Sequence, residues 1–461
     1  MKLDVRRVLS FCDHREVEAG IRHAEPLRKV AAVAIIANPW AGRYVEDLKD
    51  GIAASVEIGK LLAQTAVAVG LNLRKGQEVV MTAPVEALDL ARRVTEHAYR
   101  AGASLVTLIL NDDQQTLTRF RCAADDSFDA APAWLFEGMA QAYRSGAARI
   151  AIVGEDPMLL AHEDPARVSR VNRARSKAYS PALEQIVSFA INWTIVPAAT
   201  PAWARCVFPD DAPDRALAKL WDAIFSASRV DVADPVAAWA AHNAHLAART
   251  ATLNARRFHA LRFTGPGTDL TVGLADGHEW VGGASKAKNG VICNANIPTE
   301  EVFTTPHRDR ISGHVRATKP LSYMGALIED IEVRFEDSRI VEAKASKGED
   351  VLRRVLETDE GASRLGEVAL VPYTSPISNS GLLFFNTLFD ENAASHIALG
   401  QAYSKCFVDG DKLSEVELRA RGANRSLIHI DWMIGSNEID VDGLDAAEVP
   451  TPVMRKGEFV I

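Results

Sequence analysis

The sequence predicts an α/β protein: a parallel α/β domain followed by a β-rich α+β domain. Three observations lead there. Between about residues 75 and 257, short apolar β-branched runs alternate with stretches of helical apolar spacing, the pattern of parallel strands joined by helices. After about Phe258 the pattern turns to alternating runs separated by Gly-rich turns. Finally, 461 residues exceed what one ordinary core holds, so two substantial domains are expected, at 56–257 and 258–461, behind an extension over 1–55.

In the extension, Val30 to Ile36 reads as a strand that stops at Asn38-Pro39, and a helix is expected from about Gly51 to Ala68. Apolar runs at Glu78 to Ala83, Ser104 to Leu110, Ala148 to Val153 and Trp193 to Pro197 supply the parallel strands. Helical spacing covers Glu86 to Ala101, Asp164 to Phe189, Ala216 to Ser228 and Pro235 to Arg256. RFTGPGTDLTVGLADG, residues 262–277, reads as a hairpin, and further strands are expected at Asp330 to Phe335, Arg339 to Ala345, Glu367 to Pro372 and Ser426 to Ile434.

Composition narrows the function classes. Hydrophobic residues at 48% and charged residues at 25% are those of a soluble globular protein. A net charge of −9 argues against nucleic acid and anionic membrane, since both need a basic face. The five cysteines are far apart without CxxC or CxxH spacing, which points to reduced thiols rather than disulfides or a zinc knuckle. The first twenty residues carry charges throughout, and Val30 to Ala37 is too short to span a bilayer, so a cytoplasmic protein is expected.

The first half offers neither GxGxxG nor GxxxxGK[ST], and its acids at Asn111-Asp112-Asp113 and Gly154-Glu155-Asp156 read as strand ends. The last third is different. In SLIHIDWMIG, residues 426–435, Ile428, Ile430, Trp432 and Ile434 share one strand face and His429 and Asp431 the other, as on a strand lining a polar cavity; a surface His–Asp pair has the same pattern. In NTLFDENAASHIALGQAY, residues 386–403, Asp390, Glu391 and Asn392 precede an apolar stretch read as helical. That reading sets His396 and Tyr403 two turns apart on one face. Glu300 and Glu301 follow a proline break, and Glu367 stands where a strand begins; each alone reads equally as a surface acid.

The segments NIPTEEVFTTP, RLGEVALV, FFNTLFDENAASHIALGQAY and HIDWMIGS, in that order and spacing, resemble the M29 family of metallo-aminopeptidases over roughly residues 58–461. The resemblance implies a two-domain subunit that forms a homodimer around an inner cavity, with the metal-binding catalytic domain at 258–461. It implies two divalent metal ions held by Glu301, Glu367, His396, His429 and Asp431, with Glu391 a further ligand. Glu367 would be shared by both ions, and Tyr403 would stabilise the transition state. Glu300 stands where the family commonly has glycine, and Ser395 where cysteine is common. The chemistry is consistent with that set. Four carboxylates in one cavity do not all stay ionised without cations, and two histidines supply the nitrogen ligands that zinc, cobalt and manganese favour. Two such ions activate a water and polarise a scissile carbonyl. EPLRKVAAVAIIANPWAGRYVEDL, residues 25–48, separately resembles the start of the amino acid synthesis family and carries no activity with it.

The function expected is removal of an N-terminal residue from short peptides. The alternatives are an amidase on a non-peptide amide, or a ring-cleaving non-haem iron dioxygenase, which needs one iron with two His and one carboxylate.

Overall fold

The computed structural model describes residues 59–461 except Met324. The extension over 1–55, its strand Val30 to Ile36, and the part of the expected helix before Gly59 lie outside the described residues. From Gly59 the chain is helical and runs on through a π-helical turn, Ala66–Leu71, where Ala66, Val67 and Leu71 are buried.

The parallel sheet is formed by β1 (Glu78–Pro84), β2 (Leu105–Asn111), β3 (Ala148–Val153) and β4 (Trp193–Pro197), in the order β2-β1-β3-β4. Helix α1 (Leu88–Arg100) packs on β1 and β2, and α2 (Ala133–Arg144) packs on α3 (Pro165–Val187). Then α4 (Pro213–Ala227) and α5 (Pro235–Arg256) lead into the second half. Local chemistry fixes several starts. Asp164 and Asp234 each accept from a backbone N–H of the first turn, and a proline stands at the first helical position of α3 and α5. Apart from α2, which the sequence reading does not place, these elements fall where the sequence places them, because each has a continuous apolar period.

The second half is antiparallel. Strands β5 (Ala260–Gly265) and β6 (Thr268–Leu274) form the expected hairpin around Pro266-Gly267, with Gly267 at φ +70°, a conformation that glycine adopts freely. With them stand β7 (Val302–Thr304), β8 (Pro306–Arg316), β9 (Glu332–Glu336), β10 (Arg339–Lys344), β11 (Leu365–Leu370), β12 (His396–Gly400), β13 (His429–Met433), β14 (Asp440–Leu444), β15 (Pro450–Arg455) and β16 (Glu458–Phe459). An eight-stranded sheet runs β10-β9-β8-β6-β5-β14-β15-β16, and a four-stranded sheet runs β13-β12-β11-β7. One core joins the two, with Leu261, Phe263 and Val272 from the larger sheet against Val368, Ile397, Ile430 and Trp432 from the smaller. The parallel sheet adjoins this half through Ile195, which pairs with Asn296.

One expected element is corrected. Residues 386–403 are not one helix: a single helical turn, Thr387–Asp390, and a 3₁₀ turn, Glu391–Ala393, lead directly into β12. All five residues of β12 are buried between neighbouring strands. A strand covered on both faces reads as a continuous apolar run, which periodicity does not separate from a buried helix. His396 and Tyr403 are therefore not helix-face neighbours.

Candidate metal centre

The four-stranded sheet brings the polar residues together by register. Glu367 of β11 lies opposite Ala398 of β12, which lies opposite Asp431 of β13, so the three side chains form one row on one face. His396 is two residues from Ala398, and His429 is two residues from Asp431 and opposite Gly400, so both imidazoles stand on the same face. Ala398 and Gly400, small residues at alternate positions, leave the space above this row open. Glu301 immediately precedes β7, at the edge of the sheet next to β11.

Two overlapping groups result, Glu301–Glu367–His396 and Glu367–His429–Asp431, each with its ligand-type atoms within 4.8 Å of one another. His396 Nε2 lies 3.2 Å from Glu301 Oε2, 3.7 Å from Glu367 Oε1 and 4.0 Å from Asp431 Oδ1. His429 Nε2 lies 3.4 Å from Asp431 Oδ1 and 3.8 Å from Glu367 Oε2. The other ring nitrogens are committed. His396 Nδ1 donates to the Ala394 carbonyl at 3.1 Å and His429 Nδ1 to the Gln401 carbonyl at 2.8 Å, since a carbonyl only accepts. Both Nε2 atoms therefore point at the carboxylates, the tautomer that metal-binding imidazoles use.

The electrostatics are unbalanced from within the chain. Glu301 Oε2, His396 Nε2 and Asp431 Oδ1 are buried without a hydrogen-bond partner. Burial pushes the Glu367 carboxyl up, and burial with the nearby Glu301 and Asp431 charges pushes Glu391 well up. Burial alone would lower His396, yet Glu301 and Glu367 reverse this and hold it well above its usual value. His429 likewise rises, to about 9, against its burial and because of Asp431; burial would raise Asp431 in turn, but His429 brings it down. Acceptor-only oxygens and lone-pair nitrogens converging in a buried space fit divalent cations of the borderline type, which take mixed carboxylate and imidazole ligands.

The row opens on a cavity of about 310 Å³ whose walls include Glu301, Glu367, Glu391, His429, Asp431 and Tyr403. Glu391 sits in the 3₁₀ turn before β12 and belongs to neither three-residue group. Tyr403 follows β12, its ring centroid 4.7 Å from that of His429; burial and then the surrounding carboxylates raise its phenol well above the usual range, so it stays protonated. Glu300, the neighbour of Glu301, is engaged elsewhere: Arg229 donates to both of its oxygens, at 2.5 and 2.8 Å. Sequence reading missed Arg229, and also Lys405 and Arg149, which line the cavity. A single cation in a loop or strand carries no spacing to find it by; Lys405, two residues after Tyr403, offered the nearest hint.

Relatives give this geometry a family. Residues 58–459 match the family of thermophilic metalloproteases (M29), and residues 5–77 match the amino acid synthesis family. Aminopeptidase T of Thermus thermophilus is 57% identical over 400 residues, which cover 87% of this chain and 98% of that protein. The solved structure of wild-type AmpT from Thermus thermophilus superposes with a TM-score of 0.84 at 55% identity, over 88% of this chain and 99% of that one. A 2,5-dihydroxypyridine dioxygenase from Pseudomonas putida KT2440 shares the fold at 12% identity and a TM-score of 0.50, over 88% of this chain and 97% of that one. The match over nearly the whole described chain shows that this protein belongs to the M29 metalloprotease family and is a hydrolase of its aminopeptidase group.

Proposed function

We propose that the protein removes the N-terminal residue of short peptides with two divalent cations, one held by Glu301, Glu367 and His396 and the other by Glu367, His429 and Asp431. The observation that carries this reading is the pair of three-residue groups sharing Glu367, three of whose atoms are buried without a hydrogen-bond partner among the described residues. Zinc, cobalt or manganese suits two imidazoles among carboxylates. Bound there, such ions supply Lewis acidity toward the scissile carbonyl and make a water acidic enough to attack at neutral pH.

The chain's own residues supply the rest. Tyr403 keeps its proton and donates it as a hydrogen bond to the oxyanion as the carbonyl carbon becomes tetrahedral. Glu391 belongs to neither three-residue group but lines the same cavity wall as Glu301, Glu367 and Asp431, and in this reading it is a further ligand to the cations. The four free cysteines among the described residues agree with a cytoplasmic setting, and the homodimer is the assembly that the family resemblance implies.

The test is hydrolysis of aminoacyl-anilides by protein of known metal content. Activity is expected on Leu-p-nitroanilide and not on its N-acetyl form, with loss on exhaustive chelation and return with added zinc, cobalt or manganese. Full turnover by protein shown metal-free by elemental analysis would rule the reading out.

A further inference from the structure

The acid row is one wall of the cavity; a cation stands on another. Lys405 lies in the 3₁₀ turn Ser404–Cys406, directly after Tyr403, and lines the same cavity. Its ammonium is 4.7 Å from the ring centroid of Phe303, 5.2 Å from that of Phe189 and 5.6 Å from that of Tyr403. Three aromatic rings thus hold a half-buried ammonium in place, and no carboxylate among the described residues lies within ion-pair distance of it. Lys219, Lys347 and Lys412, by contrast, pair with Asp211, Glu329 and Asp409.

A cavity with the metal-binding row on one side and an aromatic-held ammonium on another suits a short peptide whose scissile bond lies at the row and whose free carboxylate meets the ammonium. We propose that Lys405 binds the free terminal carboxylate of the substrate, so that the enzyme prefers dipeptides and tripeptides with an unblocked C-terminus. This rests on the aminopeptidase reading of the acid row. The spacing agrees with it. Tyr403 neighbours both Lys405 and His429, its centroid 5.6 Å from the ammonium and 4.7 Å from the imidazole centroid, so the two lie no more than about 10 Å apart. Each residue of extended peptide spans about 3.3–3.6 Å, so a leaving group of one or two residues reaches from the acid row to the ammonium. A cavity of about 310 Å³ also suits so small a substrate. An ammonium held by ring faces alone keeps its hydrogen-bond donors available for an incoming carboxylate.

The experiment compares Leu-Ala with Leu-Ala-amide on metal-replete wild type, Lys405→Met, Lys405→Arg and Arg149→Met, reading KM and kcat separately. Wild type should show a KM for the free acid roughly tenfold or more below that for the amide, the equivalent of one charge-assisted contact. Lys405→Met should bring the ratio to about one by raising KM for the acid, and Lys405→Arg should restore most of it. The proposal is overturned by a wild-type ratio near one, by a ratio that survives in Lys405→Met, or by equal kcat losses on acid and amide, which would mark a role in the reaction itself. It also falls if Arg149→Met alone erases the ratio, since Arg149 is another cation on the cavity wall. Metal-replete wild type that hydrolyses neither compound would defeat the aminopeptidase reading and the anchor with it. Hydrolysis of both with a ratio near one defeats the anchor alone.

Discussion

Among the described residues stand two four-stranded sheets of opposite character. The parallel sheet β2-β1-β3-β4 places its acids at strand ends, where solvent and neighbouring N–H groups satisfy them; Asp113, for example, accepts from the Asp156 N–H. The antiparallel sheet β13-β12-β11-β7 carries acids and imidazoles within its strands, in register across three of them. In the first sheet polar groups are where water reaches them. In the second they are buried together with no Lys or Arg paired to them among the described residues, an arrangement that costs several kcal/mol per unpaired charge unless a cation completes it. Adjacent Glu300 and Glu301 repeat the contrast at the scale of one peptide bond: Glu300 is neutralised by Arg229, and Glu301 keeps an unpartnered oxygen.

The largest effect should come from the residue common to both groups. Glu367→Gln keeps the volume and removes the charge that offsets repulsion between two cations, so it should bind about one metal per subunit and lose about 10³-fold or more in kcat. A Glu367→Gln protein with two metals and near-normal turnover would place the site's organising charge elsewhere. Tyr403→Phe should retain both metals and lose about 10²- to 10³-fold in kcat, the usual cost of one oxyanion donor; an unchanged kcat would remove Tyr403 from the reaction.

The neighbouring glutamates should respond in different currencies. Glu301→Gln should lower metal content with little change in folding. Glu300→Gln should keep both metals but weaken a buried, doubly bonded pair with Arg229, at a cost of about 2 kcal/mol in denaturant titration. Metal loss in Glu300→Gln but not in Glu301→Gln would exchange their roles. The smallest effects belong to regions without ligands. Asp113→Asn in the parallel half should keep metal content and turnover within about twofold, as surface changes generally do. Deletion of residues 1–50 should leave metal binding intact in protein that still folds. A metal-free but folded product of either change would show that the centre depends on more than the antiparallel sheet.

Much of this was legible before any coordinates. The parallel strands and, apart from α2, their helices fell where apolar periodicity put them, and the hairpin formed at Pro266-Gly267 as its turn chemistry required. His429 and Asp431 share the polar face of β13 because strand side chains alternate regardless of fold, and Ile430 and Trp432 reached the core for the same reason. By contrast, β12 was misread as helix, because burial on both faces erases the alternation that identifies a strand.

Local patterns thus determined which segments become strands and helices, and which face of β13 is polar, since both follow from backbone geometry within a few residues. Tertiary structure alone decided what meets what. Glu301, Glu367, His396 and Asp431 come from segments tens of residues apart, and only strand register sets Ala398 between Glu367 and Asp431. Likewise only packing chose Glu301 over Glu300 for the acid row, by bringing Arg229 from 71 positions away in the chain to the other carboxylate. It also set Lys405 among three rings on the cavity wall. A charge's role depends on its nearest opposite charge and on its distance from water, and neither is a property of neighbours along the chain.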